Sequence, residues 1–78
     1  MNNKDLENIV VISMYDGGYN YSIMINGIIY GRFGNVPQDV KNVMDKTLDN
    51  LYDNAKLKEI FPNKTIIVCD DGCTEVIE

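Results

Sequence analysis

The sequence predicts an α+β fold. The expected architecture is a two-layer, mainly antiparallel twisted sheet in the order β-β-β-α-β-β, with one long amphipathic helix packed on one face. Three observations lead there. Three glycine-marked turns, Asp16-Gly17-Gly18, Asn26-Gly27 and Asp70-Asp71-Gly72, each lie between short runs rich in β-branched and aromatic residues. The segment Tyr19 to Ile25 alternates with the period of two that a half-buried strand requires. Residues 37–60 carry a helical pattern between the second and third turns.

Residues 1–7 are a polar lead-in. Ile9-Val10-Val11-Ile12-Ser13-Met14-Tyr15 supplies the first strand, 9–15, and the Asp16-Gly17-Gly18 turn closes it into a hairpin with strand 19–25. Tyr19, Tyr21, Ile23 and Ile25 share one face of that strand, and Asn20, Ser22 and Met24 the other. Asn26-Gly27 is the strongest two-residue hairpin signal, because a type I′ turn needs positive φ at both central residues. It sets a register with strand 28–33: Ile25 opposite Ile28, Ile23 opposite Tyr30, Tyr21 opposite Arg32, and on the other face Met24 with Ile29.

Val36-Pro37 opens the helix, since proline is tolerated in the first turn and its predecessor is forced out of the α region. Asp39 then suits the positive end of the helix dipole. Val40, Val43, Met44, Thr47, Leu48, Leu51, Tyr52 and Ala55 form one buried stripe at helical spacing. Pro62 ends the helix after residue 60. Strands 65–69 and 73–77 follow, joined through Asp70-Asp71-Gly72 as a three-residue loop with glycine in the left-handed position. The strand pairing of this last hairpin with the first three strands is left open by the sequence. The whole chain, 1–78, is expected to be a single domain near the lower size limit for a self-sufficient core.

One helix cannot cover every apolar strand position. Its stripe suits Ile23, Ile25, Ile28 and Tyr30, yet strands one, three and four are apolar on both faces. A sheet with one wet face should alternate more strictly. Scattered exposed apolar residues are common on protein surfaces and give the plainer account. A symmetric homodimer is the sharper expectation, with Met24, Ile29, Phe33, Val10 and Ile12 at the interface.

The composition excludes several function classes. A net charge of −5 argues against a phosphate-backbone partner and fits a basic protein surface. No apolar run approaches a bilayer span, and the polar N-terminal residues lack a signal-type apolar region, so a cytoplasmic location without membrane contact is expected. Histidine is absent, Ser13 and Ser22 lack a nucleophile motif, and no phosphate-loop, dinucleotide or EF-hand pattern appears. Neither an enzyme nor a cofactor site is therefore expected. Two cysteines without histidine do not make a metal site.

Three constellations remain. Arg32, across the hairpin from Tyr21 and near Tyr19, offers a guanidinium and aromatic faces to an anionic or planar ligand such as a nucleotide; an arginine resting on a tyrosine is the simpler account. Asp45, Asp49 and Asp53 lie at i, i+4 and i+8, giving an acidic stripe with a repeat of about 6 Å on one helix. That stripe suits a basic partner, or is simply solvated beside Lys41 and Lys46. Cys69 and Cys73 become directly opposed across a three-residue loop, which would permit a redox clip; two reduced thiols are the simpler expectation. Five tyrosines, four ahead of the helix, favour binding over catalysis. The leading expectation is a small acidic protein-interaction module that self-associates. Its Asn, Asp, Lys and Ile usage fits a low-GC bacterium or its phages, and its size and charge suit an inhibitor or regulator encoded by a phage or mobile element.

Overall fold

The computed structural model describes residues 7–78. β1 (Ile9–Tyr15), β2 (Asn20–Ile25) and β3 (Ile28–Gly31) form an antiparallel meander. Two helices follow, α1 (Gln38–Asp49) and α2 (Asn54–Ile60), and then a second hairpin, β4 (Thr65–Asp70) and β5 (Cys73–Ile77). All strands join one five-stranded mixed sheet in the order β3-β2-β1-β4-β5. β4 pairs parallel with β1, with Val11 beside Ile67 and Ile12 beside Val68. The C-terminal hairpin thus extends the first meander, and β1 becomes the central strand.

The Asn26-Gly27 register is the expected one. Asn26 and Gly27 sit at φ 53° and 79°, and Ile25–Ile28, Met24–Ile29 and Ile23–Tyr30 face each other. Both helices lie on one side of the sheet. Val10, Ile12, Tyr21, Ile23, Ile66, Val68 and Ile77 point from the sheet into a core closed by Met44, Leu51, Leu57 and Phe61. Thr47 is the one polar residue fully enclosed among the described residues, and its Oγ1 donates to the Val43 carbonyl at 2.7 Å, so its hydroxyl is satisfied.

The single helix expected over 37–60 is two helices. Asn50 Nδ2 donates to the Lys46 carbonyl and the Asn50 amide to Thr47, which tightens the end of α1. Asp53 then takes an extended conformation and its carboxylate accepts from the Lys56 amide at 3.1 Å. This side-chain cap starts α2 in a new direction. Tyr52 and Ala55, assigned to the buried stripe by helical spacing, are exposed because the break rotates them out. Leu57 and Phe61 take their place in the core. Asp53→Ala is expected to lower stability by about 1 kcal/mol. Asp49→Ala, which removes no cap, should change it by less than about 0.5 kcal/mol. Urea denaturation of both variants checks the contrast.

Candidate functional site

The face of the sheet opposite α1 and α2 has an ordered pattern. Successive pairings align Ile29, Met24, Val11, Ile67 and Val76 in one row that crosses all five strands. A neighbouring row, Gly31, Ser22, Ser13, Cys69 and Thr74, is made of small side chains. No strand position on this face is charged. The two acidic residues within the strands, Asp70 and Glu75, stand in register with Cys73 and Val68 on the helix side. The ends of the apolar row are open, Ile29 at 69% and Val76 at 56% exposure, while Met24, Val11 and Ile67 are half-buried.

Met24 and Ile29 therefore lie where the sequence placed them. Val10 and Ile12 do not: they are fully buried under the helices. Parallel pairing with β4 and the Val10–Ile25 and Ile12–Ile23 registers fix them to the core side, leaving Val11 on the open one. Phe33 lies beyond the end of β3, with its ring 5.8 Å from Tyr19.

Phe33 belongs to a second cluster, centred on Arg32. The Arg32 amide donates to the Tyr21 carbonyl at 3.0 Å, continuing the hairpin past β3, and its Nη1 donates to the Tyr19 carbonyl. The guanidinium carbon lies 5.0 Å from the Tyr19 ring centre, 5.3 Å from Phe33 and 6.0 Å from Tyr21. This geometry allows cation–π attraction to all three rings. The hairpin register thus brings Tyr19, Tyr21 and Arg32 together as the sequence suggested, and adds Phe33.

The acidic stripe is shorter than expected. Asp45 and Asp49 remain on α1, but Asp53 lies past its end and caps α2. Three carboxylates therefore do not repeat along one helix axis. Asp45 instead faces the groove beside Tyr21, Arg32 and Lys41.

The cysteine pairing is also corrected. Asp71 and Gly72 alone form the β4–β5 turn, at φ 45° and 91°, so Asp70 remains in the strand and pairs with Cys73, while Cys69 pairs with Thr74. Aspartate tolerates the left-handed region, which lets a two-residue turn replace the expected three-residue loop. A shift of one residue exchanges the sheet faces. Cys69 falls on the open face and Cys73 on the helix side, both as free thiols. Directly opposed cysteines, and the redox clip built on them, are not what this register makes.

On the helix side, the inter-helix corner is tied to this hairpin. Tyr52 donates to the Asp70 carboxylate at 2.8 Å, and Asn54 Nδ2 to Glu75 at 3.2 Å. The hydrogen bond to Asp70, with the negative charges of Asp70 and Asp71, holds the Tyr52 hydroxyl above the ordinary tyrosine value. Burial and the Asp45 charge push Tyr21 up as well, against a smaller opposing effect of Arg32. Both groups keep their protons better in the folded chain than in the unfolded one. The stability they contribute is therefore fully present below about pH 10 and is lost as the pH rises through their folded values. Titration of phenolate absorbance should show late ionisation of both, with Tyr52→Phe removing one step from the late phase.

Lys41 was expected only as a solvated neighbour of the acidic stripe, and Val11, Ile67 and Val76 were assigned to no site. Val11 and Ile67 are marked only by strands apolar on both faces, and their alignment with Val76 needs the parallel β1–β4 register. Among the described residues no helix is long and apolar enough to cross a membrane. Compared with known proteins, the chain matches no family model, no curated sequence and no solved structure.

Proposed function

We propose that this protein is a small acidic interaction module whose sheet face opposite α1 and α2 packs against the same face of a second copy. The observation that carries this reading is the apolar row Ile29-Met24-Val11-Ile67-Val76 on a face whose strand positions carry no charge. Charge supports self-pairing in particular. The chain carries a net charge of −5, but none of it sits on strand positions of this face, so two copies can approach there without opposing like charges directly. Val11 lies on the central strand, and a two-fold axis near it would set the row of one copy across that of the other.

Five strands at about 4.8 Å spacing and about five residues long give a footprint of roughly 400 Å² in the plane of the sheet. Side chains make the accessible area of this face larger than its projection, but the face is small for a stable interface, so a weak dimer that dissociates in the micromolar range is expected. The dimer would form the functional surface of an inhibitor or regulator acting through protein contacts. Light scattering coupled to size exclusion, over a micromolar concentration series, tests it: the mass should rise above 8.9 kDa toward twice that value. A constant monomer mass across the series sinks the reading.

A further inference from the structure

On the other side of the sheet, a groove of about 490 Å³ runs between the β2–β3 hairpin and α1. This is within the size range of small-molecule sites. Met14, Leu48 and Leu51 make its apolar part, and Tyr21, Arg32, Lys41 and Asp45 its polar part. Beyond Tyr21, Arg32 and Lys41 it continues into a smaller lobe of about 220 Å³, lined in part by Val36 and Met44. The two cations therefore stand where the lobes meet.

Among the described residues, no carboxylate lies within ion-pair distance of either cation. Among the described residues the one ion pair within 4 Å is Lys56–Glu59, on α2. Lys41 has Asp45 one helical turn away, a spacing that favours pairing, yet the two do not close to ion-pair distance. In a chain with twelve acidic and seven basic side chains, two such cations facing one groove form a local reversal of charge. Arg32 is also held in place. Its bond to the Tyr19 carbonyl and the surrounding Tyr19, Phe33 and Tyr21 rings limit its rotamers, while most of its five N–H donors remain available. A pre-positioned guanidinium loses little entropy on binding an anion.

We propose that this groove binds a small organic monoanion, with a carboxylate head on Arg32 and Lys41 and an apolar body over Met14, Leu48 and Leu51. Asp45 decides between anion classes. Its carboxylate shares the groove and repels a second negative charge, which disfavours phosphate dianions and polyphosphates. The apolar lining gives no stabilisation to a bare inorganic ion. The groove opens on the helix side, away from the face proposed for self-association, so binding and dimer formation can fail independently.

Amide chemical-shift titration with phenylacetate tests the proposal, with inorganic phosphate and benzylamine as comparison probes. Phenylacetate should give saturable shifts centred on Tyr21, Arg32, Lys41 and Leu48, and neither comparison probe should do so. Arg32→Gln and Lys41→Gln, both at exposed positions, should each weaken phenylacetate binding roughly tenfold. Asp45→Asn should strengthen it roughly two- to fivefold. The proposal is overturned by an absence of saturable shifts, by an equal response to phosphate, or by shifts centred on Val11, Met24 and Ile67. Unchanged affinity in both cation variants, each showing a folded spectrum, overturns it as well.

Discussion

Ile29→Lys combined with Val76→Lys is expected to leave the fold intact and abolish self-association. Both side chains are largely exposed in the single chain, 69% and 56%, so lysine at either position keeps its charge in water and disturbs no core packing. In a face-to-face pair the same positions end the apolar row, where each copy would have to desolvate two ammonium groups without a carboxylate opposite. An unpaired charge forced into such an interface costs several kcal/mol. A dimer of micromolar affinity has roughly 8 kcal/mol in all, so losing even about 3 kcal/mol moves its dissociation beyond the working concentration range. The double variant should therefore elute as a monomer with unchanged circular dichroism and urea midpoint. Retained dimer mass in this variant would place the contact elsewhere on the molecule. Met24→Lys, nearer the middle of the row, supplies an independent check from a half-buried position.

Leu57→Ala is the substitution expected to harm the fold most. Leu57 is fully buried and is the main anchor of α2, a seven-residue helix too short to be stable without tertiary packing. Truncation removes apolar contacts and leaves a cavity beneath the helix, at a cost of about 2–5 kcal/mol. A 78-residue chain is held by roughly 4–12 kcal/mol in total, so this change approaches the whole margin. Urea or thermal unfolding should show a large downward shift in midpoint. Lys56→Ala, one position earlier and exposed, should move it by less than about 0.5 kcal/mol, because the surface pair with Glu59 contributes little. A Leu57→Ala loss under 1 kcal/mol would mean that α2 is not packed as described.

Local chemistry explains which features were legible in the sequence. Asn26-Gly27 encodes its own turn, and the register of β2 against β3 follows from two residues. That register in turn placed Arg32 among the tyrosines. The failures have other causes. Tyr52 and Ala55 continue the apolar spacing of α1, and nothing in that spacing announces that Asp53 will cap a new helix instead of extending the old one. At the last turn, Asp71 had two conformations open to it, and the left-handed one shortened the loop by a residue and separated Cys69 from Cys73. The assignment of Val10 and Ile12 to the open face failed for a local reason. A three-residue loop at 16–18 would set Tyr15 opposite Tyr19 and Val11 opposite Ile23, whereas Tyr19 joins the turn, Tyr15 pairs with Asn20, and the one-residue shift turns Val10 and Ile12 to the helix side. The parallel pairing of β4 with β1 hid the apolar row, since Val11 and Ile67 become neighbours only through it. Lys41 and Asp45 entered the groove through the docking angle of α1, which helical periodicity does not specify.

The central place of β1 has a consequence for biosynthesis. β1 is the first of the five strands to leave the ribosome, yet its parallel neighbour follows about fifty residues later. Once β2 and β3 have followed, the nascent chain can form the β1–β2–β3 meander, but one long edge of β1 stays unpaired, with apolar side chains on both faces. Such an edge is an invitation to pair with the wrong strand, including one on a neighbouring polysome. Slow translation before Thr65 would lengthen the exposure, whereas synthesis through Ile77 lets β4 and β5 add as one hairpin and close it.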